Sequence, residues 1–218
     1  ETLWNSEVNG IPVDASGAGV TRIPDTIVLS VNSEVEVEGS FVNDILVATK
    51  VKDESNDIKV EATIFSVDPI NNSFVLEPAS SQFITVTIDR STEVDDEDGE
   101  FTNPDDMITS LSGGDFVSVE GYDGGSGTVA ASEVERENTA DDVIVQGIMD
   151  SFNPGNNVSV LGVTFVVNGT QTEFELANDV PANQSEFDTA ATDGVTLIKV
   201  KDVSPPDGIA DEVEIELP

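Results

Sequence analysis

Apolar and polar positions alternate with a period of two along many short segments of this chain. In residues 58–64, apolar side chains occupy every second position, and charged or hydroxyl side chains occupy the positions between them. A period of two is typical of a β-strand with one buried face. Turn-forming steps such as Asp68-Pro69 and Asn153-Pro154 separate these segments. The pattern therefore predicts an all-β fold.

One of these segments recurs three times along the chain. The sequences VEVEG, VSVEG and IKVKD end at Gly39, Gly121 and Asp202, which are 82 and then 81 residues apart. A near-constant offset is the mark of tandem repeats. We therefore predict three repeats, of which the first is partial. Their predicted bounds are residues 1–53, 54–138 and 139–218.

Each complete repeat contains the pattern of five strands. An opening hairpin is followed by a third strand, a variable crossover and a closing hairpin. This order predicts tandem small antiparallel β-barrels of the OB type, and a Greek-key sandwich is the alternative. The first repeat matches the others only from its third strand onward, so we predict that it lacks the opening hairpin and that the chain begins partway through a unit.

An incomplete barrel leaves unpaired backbone groups and an apolar face along its edge. We expect another segment to cover this edge. Residues 1–9 folding back over it and a preceding repeat are two alternatives, and the favoured one is strand donation from a neighbouring subunit. Leu3 and Trp4 are apolar residues at an otherwise polar terminus, and they are candidates for that contact. The predicted partner is therefore a second subunit or a neighbouring repeat.

The charge of the chain narrows the classes of partner. It carries 44 acidic and 8 basic residues and no histidine, for a net charge of −36. Such a field repels nucleic acid and anionic membrane surfaces, so neither is an expected partner. Salt screens the repulsion between these charges, which suggests a halophilic or marine surface. The alternative interpretation is simply a soluble secreted protein. No segment approaches the roughly twenty apolar residues of a membrane span.

The residue types available also limit the chemistry. Without histidine or cysteine, the common nucleophile–base pairs are absent, so we expect a protein that is not an enzyme. The lack of cysteine also excludes disulfides and thiolate metal sites. With 44 acidic residues, no single carboxylate pair is informative about catalysis. We expect no cofactor except, as one hypothesis, calcium.

The calcium hypothesis rests on one acidic loop. Asp95, Asp96 and Asp98 precede a glycine turn, and Asp105 follows shortly after it. Carboxylate oxygens around a turn are the ligands that Ca²⁺ prefers. The spacing is not that of an EF-hand. The alternative interpretation is a solvated loop on a protein that is acidic throughout.

Four Asn-x-Ser/Thr sequons occur in the chain. In a secreted protein they are acceptors for N-linked glycans, although an asparagine- and hydroxyl-rich sequence also produces sequons by chance. The four asparagines are Asn71, Asn157, Asn168 and Asn183.

The repeats resemble a known family. The second reads VEATIFSVDP followed by GGDFVSVEG, and the third reads VQGIMDSFNP followed by VTLIKVKD. These motifs are similar to those of domain of unknown function 5666, and the likeness covers the second and third repeats and the end of the first. The resemblance implies OB-like barrels and an envelope location in secreted or lipid-anchored bacterial proteins. It implies no catalytic residues. The third repeat departs from the pattern where Lys201-Asp202 replaces Glu-Gly.

Two classes of function follow from these observations. The first is a non-enzymatic extracellular or cell-surface structural protein, such as a filament or matrix subunit. The second is a calcium-dependent adhesion module or a carbohydrate-binding module.

Overall fold

The computed structural model describes residues 5–23, 35–53, 58–96, 101, 103–203 and 205–217. Of these, 57% lie in strands and 7% in helices, so the all-β prediction is confirmed. The chain divides into two compact bodies. The N-terminal body (residues 1–56) contains the predicted first repeat, and the C-terminal body (residues 57–218) contains the second and third repeats.

The N-terminal body is a five-stranded sheet built around its last strand. Its strands are β1 (Asn5–Val8), β2 (Ile11–Asp14), β3 (Thr21–Ile23), β4 (Val35–Val42) and β5 (Ile45–Asp53). Strand β5 pairs antiparallel with β4 and parallel with both β2 and β3. Strand β1 forms an antiparallel hairpin with β2.

The second repeat closes its strand pairings into a ring. Its elements are β6 (Ile58–Asp68), β7 (Ser73–Ala79), β8 (Gln82–Thr87), β9 (Glu93–Asp96), α1 (Pro104–Ser110), β10 (Phe116–Asp123) and β11 (Thr128–Glu137). Strand β6 pairs with β7, β7 with β8, β8 with β11, β11 with β10, and β10 again with β6. The β8–β11 pair is parallel and the others are antiparallel. Each of these five strands therefore has a neighbour on both sides, and the OB-type barrel itself stays a prediction.

The third repeat follows the same order. Its elements are β12 (Val143–Asn153), β13 (Asn157–Val160), β14 (Val163–Val166), β15 (Glu173–Leu176), β16 (Val180–Ala182), α2 (Gln184–Ala190), β17 (Leu197–Asp202) and β18 (Glu212–Ile215). Strand β12 pairs with β13 and β17, as β6 does with β7 and β10. A parallel bridge between Val166 and Ile209 takes the place of the β8–β11 pairing.

The second and third repeats share one apolar core. Their first strands, β6 and β12, pair antiparallel with Val60 opposite Val145. Farther along, the amide side chain of Gln82 donates to the Thr164 carbonyl at 2.8 Å and accepts from the Thr164 N–H at 2.7 Å. Because a unit of about eighty residues buries only a small core on its own, this sharing adds stability.

Two short helices occupy the crossovers of the C-terminal body. Asn103 caps α1 by accepting from the Asp106 N–H at 3.0 Å, and Asn183 caps α2 together with Glu186 in a capping box. The period-two alternation predicts neither helix, although the sequence does carry a signal for α2. The signal for it was Asn183 followed three residues later by Glu186. No helix in the described residues is long and apolar enough to cross a membrane.

The recurring segments occupy equivalent positions in the three closing hairpins. Val37 lies opposite Val51, Val119 opposite Val134, and Val200 opposite Val213. Bulges follow Glu38 and Glu120, at the two repeat glycines. A Cβ on Gly39 would lie 2.2 Å from the Val47 carbonyl oxygen, and one on Gly121 would lie 2.3 Å from that of Ala130. These glycines are therefore fixed by close backbone approach.

The departure at Asp202 has a structural reason. The pairing of β17 with β18 ends at Lys201, opposite Glu212, one residue before this position. The carboxylate of Asp202 is buried and accepts hydrogen bonds from the N–H groups of Asp207 at 3.1 Å and Gly208 at 2.7 Å. Its side chain thus holds the loop that leads into β18. Burial raises the pKa of Asp202, although the two N–H donors oppose the shift.

The first repeat is more complete than its sequence indicated. The prediction that its whole opening hairpin is missing is wrong, because β1 pairs with β2 as β7 pairs with β8. Strand β1 has four residues, too few for a recognisable alternation. Within the described residues, the N-terminal body lacks a counterpart of the first strand alone.

Candidate functional site

The distinguishing feature of the N-terminal body is one edge of strand β4. Along its other edge, β4 pairs with β5 from Val35, opposite Asp53, to Val42, opposite Ile45. No strand of the described residues pairs with the remaining edge, which we call the β4 edge. The equivalent edges of β10 and β17 pair with β6 and β12 over six residue pairs each.

The absence of a neighbouring strand changes how deeply the same positions are buried. Val119 and Val200 are 0% exposed, whereas the equivalent Val37 is only partly buried. Val35 is also partly exposed, although its equivalent Val117 is 0% exposed. An apolar face next to an unpaired edge exposes both hydrophobic surface and free backbone groups.

The far end of the β4–β5 hairpin adds further apolar surface. Phe41 is 64% exposed and Val42 is 52% exposed on β4, and Ile45 and Val47 follow on β5 at 42% and 39%. Single exposed apolar residues are ordinary, but a group of them beside an open sheet edge is typical of an interaction surface. The β4 edge is therefore the strongest candidate site in the described residues.

The solvent face of β4 carries acidic side chains. Glu36 and Glu38 alternate along the strand, and the Lys50 ammonium lies 3.5 Å and 3.2 Å from their carboxylates. Both glutamates are well exposed, so each ion pair contributes less than about 1 kcal/mol. The carboxylates therefore remain available to a strand that approaches from the open side.

The predicted calcium ligands do not form a described cluster. Asp95 is exposed on β9, which pairs with β11, and Asp105 is exposed in the first turn of α1. Asp105 lies where the helix dipole favours a negative charge. Asp98 lies outside the described residues, and the side chain of Asp96 is not described either. The calcium site stays a prediction.

A different acidic group comes together in the third repeat. Carboxylate oxygens of Glu175, Asp179 and Glu214 lie within 4.8 Å of one another. The ammonium of Lys199 compensates part of this charge, because it donates to Glu214 and also, at 3.1 Å, to the neighbouring Glu216. We therefore describe the group as a cross-strand ion-pair network.

The pKa values in this network follow from burial and pairing. Burial lowers the pKa of Lys199, but its hydrogen bonds to Glu214 and Glu216 outweigh burial and raise it. Burial raises the pKa of Glu214, and Lys199 offsets the shift only in part. Residues 213–217 read VEIEL, an alternation that predicts Glu214 on the solvent face and Leu217 on the buried face. In the structure Glu214 is buried and Leu217 is exposed.

The four sequon asparagines differ in their surroundings. Asn71 is exposed in the turn after β6, and its Nδ2 donates to Asp68 at 2.7 Å. Asn183 is exposed at the start of α2, whereas Asn157 and Asn168 are partly buried. Glycosylation at these positions stays a prediction. Leu3 and Trp4, the predicted assembly contacts, lie outside the described residues.

The family follows from a comparison with known domains. The model described as "Domain of unknown function (DUF5666)" matches residues 6–52 and 61–135. This is more than half of the chain. The chain belongs to the DUF5666 family. The first matched segment spans β1 to β5, and the second lies within the second repeat. The third repeat lies outside the DUF5666 match, although it keeps the pairing order of the second. No curated protein matches the chain.

Proposed function

We propose that this DUF5666 protein is a non-enzymatic structural protein of the cell surface or extracellular medium whose N-terminal body accepts a β-strand from a neighbouring subunit. One observation carries the proposal. The β4 edge is unpaired in the described residues, while the equivalent edges of β10 and β17 each pair with a first strand.

Strand addition at this edge has a clear physical basis. An incoming strand pairs the N–H and C=O groups of β4 that have no strand partner among the described residues, and it covers the partly exposed Val35 and Val37. Such a contact joins a donor surface on one subunit to an acceptor surface on the next. Head-to-tail contacts of this kind propagate into a filament unless the rotation closes a ring. A filament or matrix subunit therefore fits the geometry best.

The charge supports an exposed, salt-rich environment. A net charge of −36 keeps individual subunits soluble and opposes their association at low ionic strength. At 1 M salt the Debye length is roughly 3 Å, so the repulsion between subunits is largely screened. We therefore propose a halophilic or marine setting, in which assembly and the acidic surface are compatible.

The composition supports a role without catalysis. The sequence contains no histidine and no cysteine, so it lacks both the usual general base of a nucleophile–base pair and the thiol nucleophile. Of the three carboxylates grouped around Glu214, that of Glu214 itself is ion-paired with Lys199. Binding and assembly remain the functions for which the described residues provide a surface.

Sedimentation velocity over a range of protein concentrations in molar NaCl, combined with electron microscopy, tests the proposal. We expect concentration-dependent association into elongated particles. Phe41→Ser should weaken association, because it removes exposed apolar surface beside the β4 edge. Ile70→Ser is the matched control, since Ile70 is 92% exposed in the C-terminal body. A strictly monomeric protein at high concentration would contradict the proposal.

Calcium-dependent adhesion or carbohydrate binding is the second hypothesis, and it stays a prediction. Calorimetry with millimolar Ca²⁺ tests its metal-binding part. If the loop binds the ion, Asp96→Asn together with Asp98→Asn should abolish the heat. No heat and no change in melting temperature with the wild-type chain would reject this site.

A further inference from the structure

The C-terminal body contains two templates for the strand that the β4 edge lacks. Strands β6 and β12 approach β10 and β17 in the same antiparallel register. Val60 lies opposite Val119, and Val145 lies opposite Val200. The equivalent residue on β4 is Val37. A strand in this register therefore places a valine or another apolar residue opposite Val37.

A second inward position is restricted to small residues in both templates. Ala62 lies opposite Val117, and Gly147 lies opposite Ile198. A Cβ on Gly147 would lie 3.2 Å from the Leu161 side chain, so there is little space for a larger residue. The equivalent position on β4 is Val35. A strand that completes the barrel therefore carries alanine or glycine opposite Val35.

The third inward position is β-branched in both templates. Ile58 lies opposite Gly121, and Val143 lies opposite Asp202. The equivalent of these partners on β4 is Gly39, which leaves room for a branched side chain across the edge. From the residue opposite Gly39 to the residue opposite Val35, the inward positions of the incoming strand are therefore isoleucine or valine, then valine, then alanine or glycine.

Charges on the outward face distinguish the β4 edge from its templates. Lys59 lies opposite Glu120, the equivalent of Glu38. The next outward residue, Glu61, lies opposite Ser118, but the equivalent of Ser118 on β4 is Glu36. Like charges directly opposite each other destabilise a strand pair. A strand suited to the β4 edge therefore has basic residues at both outward positions.

We infer that the occupant of the β4 edge is an extended segment of a partner subunit whose sequence differs from these 218 residues, since they do not contain the required pattern. The segment binds antiparallel in the register of β6 on β10, with the pattern Ile/Val-Lys/Arg-Val-Lys/Arg-Ala/Gly. The inference rests on the proposed strand acceptance and names the chemistry of the donor. Strands β6 and β12 are paired on both edges here, so neither donates from its present position.

Labelled peptides provide a direct test with the intact 218-residue chain. The first peptide has the sequence of residues 58–68, IKVEATIFSVD. The second carries Glu61→Lys, which replaces a like-charge contact with Glu36 by an attractive one. The third carries Lys59→Glu. We expect saturable binding by fluorescence anisotropy, about fivefold tighter for the second peptide than for the first and weakest for the third.

Two N-methylated peptides separate strand pairing from unspecific apolar contact. One is methylated at the amides of positions 58, 60 and 62, and the other at those of 59, 61 and 63. Successive amides of a strand point to opposite edges, so only one set faces β4. We expect one peptide to lose binding and the other to retain it. Equal binding of both would overturn the inference.

Amide hydrogen exchange locates the bound peptide. Binding should slow exchange along β4 and leave β10 unchanged. Slower exchange of β10 alone would overturn the inference, because it would place the peptide in the second repeat.

The outcomes separate this inference from the proposed function. Self-association without peptide binding, or with no preference for the Glu61→Lys peptide, rejects the inference and retains the structural role. Peptide binding with the expected order, but without self-association, supports the inference and rejects assembly of this chain by itself. If neither self-association nor peptide binding is observed, both the inference and the proposed function are rejected.

Discussion

The β4–β5 hairpin and the β10–β11 hairpin have nearly the same sequence pattern and the same internal geometry. Each has a Val–Val pair near its centre and a bulge at a glycine. They differ in what lies beside them, because β6 covers the edge of β10 and no described strand covers that of β4. The comparison shows that hairpin geometry is set locally, whereas burial depends on the neighbouring strand.

A change at the bulge glycines tests the local part of this comparison and has the largest expected effect. Gly121→Ala places a Cβ 2.3 Å from the Ala130 carbonyl oxygen, and Gly39→Ala makes the matching contact with Val47. We expect each to destabilise its own body by about 3 kcal/mol. Chemical denaturation with hydrogen exchange to resolve the two bodies measures this. A tolerated alanine at either glycine would contradict the shared geometry.

Shortening the central valines tests the part that depends on the neighbour. Val119→Ala removes fully buried methyl groups and should cost about 2 kcal/mol in the C-terminal body. Val37→Ala at the partly exposed equivalent should cost less than about 1 kcal/mol in the N-terminal body. Chemical denaturation, with hydrogen exchange to resolve the two bodies, measures both losses. Equal losses would mean that Val37 is buried as deeply as Val119 in solution.

Salt should stabilise both bodies, and the C-terminal body more. Residues 1–56 contain 10 acidic and 3 basic residues, net −7, and residues 57–218 contain the remaining 34 and 5, net −29. Screening relieves this repulsion, and we expect molar NaCl to raise the melting temperature of the C-terminal body by about 5 °C. KCl at the same concentration should raise the melting temperature as much as NaCl does. An unchanged melting temperature would show that repulsion is not limiting.

The smallest expected effect concerns Asp202, which stands where the first two repeats have glycine. Its pKa is raised above the ordinary 3.8 in the folded state. The folded chain therefore takes up this proton more readily than the unfolded chain. The stabilisation is complete below pH 3.8 and is lost as pH rises through the folded pKa. Asp202→Asn should flatten the change in melting temperature between pH 4 and 7 by about 2 °C. An unaltered pH profile would mean that Asp202 titrates as in the unfolded chain.

Sequence reasoning succeeded where alternation is long and failed where burial depends on distant partners. The seven residues from Ile58 to Ile64 alternate buried and partly exposed, as the pattern predicts. Strand β1 was too short to recognise. The burial of Glu214 could not be predicted, because it depends on Lys199 across the β17–β18 pair. The β4 edge followed from comparing repeats, since an absent strand leaves no pattern of its own.

The main difference between the two hairpins is that no described strand covers the edge of β4, whereas β6 covers that of β10. Residue-resolved amide exchange in a dilute, monomeric sample tests it most directly. Between Val35 and Gly39, the alternate amides that face away from β5 should exchange at least about 100-fold faster than their equivalents between Val117 and Gly121. Equal protection of the two strands would contradict the account, because it would mean that the chain's own residues close the N-terminal body.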